Sequence, residues 1–152
     1  CLKGDFVFNV AGFLSNSLVR TSLHPLKYLG YLNQEEIVSV YGKSNIGIIL
    51  YNNVGQYSMA GAVKCFEYMA NSMPVIMPDF GQWVQFNEIH RCGINVDVKN
   101  GQIVADAFHY LINNPEKARE MGENGRRWVE EKYSWQVAFK KLQILYDEVM
   151  NG

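Results

Sequence analysis

The chain has 152 residues, enough for one domain with a sizeable core, and it carries 14 Lys and Arg against 15 Asp and Glu. This near balance of charge argues against a broad nucleic-acid-binding surface. The three cysteines are too far apart for a metal site, and there is no long apolar run or signal peptide, so we expect free thiols, a reducing compartment and no membrane span.

Strands and helices alternate along the first part of the chain. Apolar runs predict strands at 6–10, 26–29 and 45–51. Residues 15–24 are polar and indicate a weak helix or none. Asn33 and Glu36 have the spacing of a capping box, which predicts a helix that begins there and continues to about Lys43.

A strand–loop–helix–strand unit occupies the middle of the chain. The run 46–50 is apolar on consecutive positions, as expected for a strand buried on both faces. A polar loop follows it, small residues at 60–62 open a helix, and 74–77 is the next apolar strand. Ligands of open α/β sheets bind where such loops leave the carboxyl ends of strands, and the free N–H groups at a helix start bind anions.

The remaining elements follow the same alternation. The segments predicted as helical are 81–91, 102–112, 115–132 and a last helix capped by Ser134. Between the first two of these, alternating apolar residues at 94–98 predict a strand near the sheet edge. The whole pattern predicts a parallel, doubly wound α/β sheet.

Two of these helices carry further signals. Pro115 suits a first helical position, whereas Gly122 and Gly125 each weaken their helix by about 1 kcal/mol relative to Ala. The last helix has an apolar stripe that we expect to be buried. Its members are Ala138, Leu142, Leu145 and Val149.

Lys64 and Glu67 are three residues apart and share a helix face. A surface ion pair is one interpretation, but Lys before Glu is the less favourable order, and the helix dipole disfavours a cation in the first turn. A second interpretation is that an anion such as a diphosphate binds between Lys64 and the helix start. Glu67 would then accept hydrogen bonds from a sugar hydroxyl.

The central unit resembles the P-x-K-x-x-E-Y-M-A-x-G-x-P-V-I signature of GT-B glycosyltransferases, and it is most similar to the large retaining group numbered family four. The matching residues are Ala-Val-Lys-Cys-Phe-Glu-Tyr-Met-Ala at 62–70 and Pro-Val-Ile at 74–76. Flanking segments agree, namely Tyr-Leu-Gly-Tyr-Leu at 28–32, Cys-Gly-Ile-Asn-Val-Asp at 92–97, Met-Gly-Glu-Asn-Gly-Arg-Arg at 121–127 and Tyr-Ser-Trp at 133–135. The resemblance covers 6–150 and corresponds to the C-terminal, donor-binding half of such an enzyme.

This resemblance implies a Rossmann-like domain that binds a UDP- or GDP-linked sugar. Glu67 matches the second Glu of the family's paired motif and would hold the ribose hydroxyls. The backbone of Gly61, Ala62 and Val63 would face the diphosphate with Lys64 in support. No metal or cofactor is expected, because helix dipole and basic side chains offset the leaving-group charge.

The nucleotide base is assigned by the same resemblance to an earlier part of the chain. Gly30, Tyr31 and Leu32 would meet the base through backbone and stacking, and Gly12 belongs to the same donor-binding set. The catalytic residues themselves are not identified by the resemblance.

The chain departs from the family pattern at several positions. Met59 stands where the first motif Glu is expected, Ala62 replaces a Pro, and 71–73 replaces a Gly-containing turn. The family's first strand and helix, with a phosphate-clamping Arg and Lys, are not found. Either that unit was trimmed, or Arg20, Lys27 or another cation takes its place.

The resemblance also sets expectations for partners. The N-terminal acceptor domain of the same enzyme would be missing, so we expect the chain alone to be inactive. The full enzyme would act in the cytoplasm, at or near the inner face of the membrane, on a glycan or lipid-linked acceptor in polysaccharide biosynthesis. The last helix, 135–150, would be an interdomain element whose strip around Leu142, Leu145 and Val149 is partly uncovered or drives dimerisation.

Two other functions remain open at this stage. One keeps the architecture but changes the reaction, as in a sugar-nucleotide epimerase of the GT-B type. The other is a module that binds a nucleotide without catalysis.

Several chemically conspicuous residues are interpreted as structural. Isolated histidines without ligand-spaced partners indicate surface or core positions; they are His24, His90 and His109. Cys65 is expected to be a packed small residue, and Trp83 a core residue more than a ligand contact.

Overall fold

The structure, a computed structural model, describes residues 6–13, 25–58 and 62–151. The chain divides into two compact units, Cys1–Ser44 and Asn45–Gly152. The predicted weak helix at 15–24 and the alternative phosphate ligand Arg20 lie outside the described residues.

The first unit pairs two parallel strands, β1 (Phe8–Ala11) and β2 (Leu26–Gly30), followed by helix α1 (Gln34–Tyr41). The predicted capping box of α1 is confirmed. The backbone N–H of Glu36 donates to Oδ1 of Asn33 at 3.0 Å, and that of Asn33 donates to Oε2 of Glu36 at 2.8 Å. These two bonds satisfy donors that the helix itself leaves without partners.

The second unit contains a parallel sheet of three strands in the order β3 (Gly47–Ile48), β4 (Val75–Pro78) and β5 (Gly93–Val96). The position of β5 at the edge of this sheet is as predicted. The predicted strand at 45–51 is too long. Ile49 still donates to the carbonyl of Ile76 at 2.9 Å, but Leu50 is 44% exposed because the chain leaves the sheet there.

Five helices complete the second unit. They are α2 (Val63–Ala70), α3 (Gln82–His90), α4 (Gly101–Asn113), α5 (Pro115–Trp128) and α6 (Trp135–Asn151). Pro115 is at the start of α5, as predicted. The segment predicted as one helix to Lys132 ends at Trp128, and a π-helical turn, Val129–Tyr133, follows it. Ser134 caps α6, with its Oγ accepting from the N–H of Val137 at 3.4 Å.

The core of the second unit lies on both faces of β4, whose four residues are all buried. Val75 and Met77 pack with Cys65 and Met69 of α2 and with Trp83 of α3. Side chains alternate along a strand, so Ile76, also buried, points to the other face. Helix α4 contacts β4 and β5 and contributes a separate buried set, Ala107, Phe108 and Leu111. The predicted α/β class, with parallel strands flanked by helices, is confirmed. Its strands are distributed over two sheets instead of one.

Two glycines explain how closely α5 approaches the end of α2. A Cβ on Gly122 would lie 2.0 Å from the carbonyl oxygen of Ser72, and one on Gly125 would lie 3.0 Å from Cγ of Met69. Arg126 adds a hydrogen bond from Nη1 to the carbonyl of Ala70 at 3.2 Å. The sequence predicted only that these glycines weaken the helix. The structure shows that the packing of α5 requires residues without side chains at both positions.

The apolar stripe of α6 is not buried within this chain, contrary to the prediction from its helical spacing but as expected for the partly uncovered strip that the resemblance implied. Leu142, Leu145 and Val149 are all exposed, Val149 to 72%. A stripe at helical spacing predicts an apolar face but not what covers that face, and these side chains face outward. Of the helices in the described part of the chain, none is long and apolar enough to cross a membrane.

Candidate functional site

The start of helix α2 follows the carboxyl end of β3 through a loop that includes a short 3-10 turn, Gly55–Ser58. Ala62 is the N-cap of α2, with extended backbone angles of φ −61° and ψ 121°. The helix therefore begins at Val63, slightly later than predicted. The predicted site residues Met59 and Gly61 lie outside the described residues.

The start of α2 is electrostatically positive. Ala62 has no side-chain acceptor for the first N–H groups, and the first turn carries no acidic residue that would offset the helix dipole. Lys64 is in this turn and its side chain is exposed. Backbone donors and a lysine thus belong to the same helical turn, a combination that would stabilise an anion.

Lys64 contacts an aromatic ring. Its Nζ lies 5.3 Å from the centroid of the Tyr51 ring, within the range of a cation–π interaction. Tyr51 follows β3 and is half-buried. The spacing of Lys64 and Glu67 had suggested either an ion pair or an anion site. The ring contact belongs to neither interpretation.

Glu67 lies further along α2 and is half-buried. Its charge affects the adjacent phenol: burial, then the Glu67 carboxylate, raises the pKa of Tyr68 to about 12. The Tyr68 ring packs against Gly47 of β3, where a Cβ would lie 2.3 Å from Cδ2 of Tyr68. Because Glu67 is half-buried, its hydrogen bonds are stronger than they would be at a fully solvated position.

An aromatic cluster supports the loop before α2. The Tyr51 and Tyr57 rings are 4.8 Å apart, and the Tyr51 and Trp83 rings 6.2 Å apart. Trp83 is 0% exposed and donates from Nε1 to the carbonyl of Tyr57 at 2.9 Å. Its predicted core role is confirmed. Sequence reasoning missed Tyr51 and Tyr57, although both lie between β3 and α2, in the kind of loop where ligands of such sheets bind.

The structure brings together the predicted residues of the first unit at the carboxyl ends of β1 and β2. Gly12 and Gly30 have φ of 121° and 74°, and the N–H of Gly12 donates to the carbonyl of Gly30 at 2.8 Å. Tyr28 donates from its hydroxyl to the carbonyl of Gly12 at 2.6 Å. Tyr31 is 72% exposed and its ring lies 5.3 Å from that of Phe13, which the sequence analysis missed.

Two further predicted residues of the first unit make no side-chain contact described above. Leu32 is half-buried, whereas Lys27, a proposed replacement for the phosphate clamp, is exposed on β2. Both belong to the first unit, while Ala62, Val63, Lys64 and Glu67 belong to the second.

The cysteines and histidines within the described residues have structural surroundings. Cys65 is buried, as predicted. His90 is buried, and its Nδ1 must donate to the Phe86 carbonyl at 2.6 Å because that oxygen can only accept. Its Nε2 lies 2.8 Å from the Tyr133 hydroxyl. His109 is half-buried, and His24 lies outside the described residues. Among the side chains that the structure describes, no group of three His, Cys, Asp or Glu is arranged to hold a metal ion.

Comparisons with known proteins identify a family and a similar fold. A family model described as "Glycosyl transferase-like" matches residues 3–143. An uncharacterised glycosyltransferase of Methanocaldococcus jannaschii is 25% identical over 151 residues, covering 95% of this chain and 41% of that protein. The structure of sucrose-phosphate synthase from Thermosynechococcus elongatus aligns with a TM-score of 0.64 at 24% identity, which shows similarity of fold. This alignment covers 84% of this chain and 31% of that one, so the chain spans less than half of either protein.

Proposed function

The chain belongs to the glycosyl transferase-like family, and from this we propose that it is the donor-binding part of a retaining glycosyltransferase. Its ligand is a nucleotide-diphosphate sugar, linked to UDP or GDP. The glycosyl group passes to a glycan or lipid-linked acceptor held by the remainder of the enzyme, an N-terminal domain. The observation that carries the proposal is the positive, uncapped start of α2 beside β3.

The diphosphate is assigned to the first turn of α2. The N–H groups of Val63 and Lys64 have no intrahelical acceptor, because they belong to the first turn. The Lys64 ammonium adds a full charge to the partial charge of the dipole. Both stabilise the negative charge that develops on a leaving nucleoside diphosphate, so this arrangement suits transfer of its sugar.

The ribose is assigned to Glu67. Three residues of helix separate it from Lys64, a rise of about 4.5 Å along the axis. A carboxylate accepts hydrogen bonds from two hydroxyl groups, as it does for ribose in dinucleotide-binding folds. Its half-buried position supports this role, because partial desolvation strengthens such bonds.

The resemblance implies base contacts at Gly30, Tyr31, Leu32 and Gly12, and we propose these residues as a base-stacking surface of the first unit taken by itself. The exposed ring of Tyr31 supports this assignment, since an aromatic face stacks on any nucleobase. The positive φ at Gly12 and Gly30 is one that glycine adopts without strain.

Removing the Glu67 carboxylate is expected to weaken nucleotide binding by tenfold or more. Charge-assisted hydrogen bonds contribute about 1.5–3 kcal/mol each, so the loss of one already has this effect. Calorimetric titration of UDP and of GDP into wild type, Glu67→Ala and Glu67→Gln measures it. The free energy of unfolding should change by less than about 1 kcal/mol.

The Lys64→Ala variant is expected to bind UDP and GDP more weakly than wild type in the same calorimetric titration. Its loss of affinity should shrink at high salt, because Lys64 acts through phosphate charge. Glu88→Ala on α3 and Lys140→Ala on α6 remove exposed charges of each sign elsewhere and serve as matched controls. Unchanged affinity in both Glu67 variants would contradict the donor-site assignment.

A further inference from the structure

We propose that Tyr51 is a positioning residue for donor binding, because the face of its ring holds the Lys64 ammonium beside the start of α2. The inference rests on the proposed function, since it names what places the cation of that site before the ligand arrives. It concerns a residue that the sequence motif does not contain.

The contact has the geometry of a cation–π interaction. The Lys64 Nζ lies 5.3 Å from the centroid of the Tyr51 ring. Tyr51 lies in the segment that follows β3, and Lys64 is the second residue of α2, so the contact links the two ends of the connection between strand and helix. The half-buried ring and the exposed lysine are the arrangement in which the ammonium keeps donors available.

The position of the Tyr51 ring is set by the core. The Tyr57 ring packs at 4.8 Å with an interplanar angle of 30°. Trp83, fully buried, packs at 6.2 Å and also holds the Tyr57 backbone through its Nε1 donor at 2.9 Å. The ring that receives Lys64 is therefore anchored on a rigid side chain of the core.

Such a support has a physical purpose at this position. The helix dipole disfavours a cation in the first turn, and a lysine has a flexible stem that must be ordered when an anion binds. The negative face of an aromatic ring attracts the ammonium and restricts it in advance. A group that is already in place loses less conformational entropy on binding.

The test is a double-mutant cycle on nucleotide affinity. UDP and GDP are titrated into wild type, Tyr51→Phe, Tyr51→Leu, Lys64→Ala and the Leu–Ala double variant, each at low and high salt. Tyr51→Phe keeps the ring and should bind within twofold of wild type. Tyr51→Leu should bind about two- to fivefold more weakly, and less so at high salt. In the Lys64→Ala background, Tyr51→Leu should cause no further loss of nucleotide affinity.

A second measurement reports the contact without ligand. The ε-CH₂ protons of Lys64 should show an upfield ring-current shift in wild type and Tyr51→Phe, and lose it in Tyr51→Leu. If the Leu variant does not fold, Tyr51→Met removes the ring while keeping an adaptable apolar side chain.

The outcomes separate the two proposals. If wild type binds UDP or GDP but Tyr51→Leu binds equally well, only the role of Tyr51 is overturned. Equal losses with and without Lys64 would assign Tyr51 to loop packing and also overturn it. If wild type binds neither nucleotide, the donor site fails and the positioning role fails with it.

Discussion

Replacing Gly122 with Ala is expected to lower the free energy of unfolding by about 2–3 kcal/mol, the reverse of what helix propensity predicts. In an exposed helix interior the change would stabilise by up to about 1 kcal/mol. Here the new methyl would lie 2.0 Å from the carbonyl oxygen of Ser72, a backbone atom that has no rotamer to change. Ser72 itself has a φ of 55°, so the turn it belongs to is already strained and poorly able to shift.

Urea denaturation followed by tryptophan fluorescence measures this effect, because Trp83, Trp128 and Trp135 all belong to the second unit. The matched control is Gly101→Ala at the start of α4, where a Cβ would meet nothing within 4 Å. That variant should be neutral or slightly stabilised. Equal stability of the two variants would show that α5 does not approach the end of α2 this closely.

The thiols of Cys65 and Cys92 are expected to react with iodoacetamide about a thousandfold more slowly in the native chain than in urea. Burial raises the pKa of each from an ordinary 9.0 to about 12, and the charge of Cys92 adds to the effect at Cys65. The thiolate is the nucleophile, and three pKa units reduce its fraction about a thousandfold at pH 8. Burial also excludes the reagent.

Mass spectrometry of timed alkylation measures both sites separately. Ser39→Cys, on an exposed position of α1, supplies a thiol that should react at an ordinary rate in the native protein. Rates at Cys65 and Cys92 close to that of the control would contradict their placement in the core and would reopen Cys65 as a reactive group of the donor helix.

The same pKa shifts predict that the free energy of unfolding decreases at alkaline pH. Well below pH 9 these thiols are mostly neutral in both the folded and the unfolded state. Above it they ionise first in the unfolded state, so stability falls between about pH 9 and 12, by about 1.4 kcal/mol per pH unit for each thiol. The raised pKa of Tyr68 adds to the fall above about pH 10.

Local signals in the sequence predicted local structure well. The capping box at Asn33 and Glu36 needs only residues three apart, and it forms as expected. The apolar positions Cys65 and Met69 lie one turn apart, so their burial against the sheet follows from helical spacing.

Non-local packing was not accessible in the same way. The need for Gly122 depends on Ser72, fifty residues earlier, and no periodicity relates the two. The ring contact of Lys64 depends on where β3 ends, and strand ends are the part of a pattern that sequence predicts least sharply. The exposed stripe of α6 shows the same limit, because amphipathicity predicts a face and not its partner.

At position 62, the N-cap of α2, a residue that stabilises the helix would be expected to weaken diphosphate binding. Ser or Asp at position 62 would accept a hydrogen bond from the first turn and would be expected to stabilise the helix by about 1 kcal/mol. The same oxygen would occupy the N–H groups that we assign to the diphosphate, and Asp would also repel it. A library screened for thermal stability alone would therefore enrich variants whose residue 62 side chain competes with the diphosphate for the same N–H groups. The alanine here and the proline of the similar signature share the property that such a screen would remove, namely the lack of an acceptor.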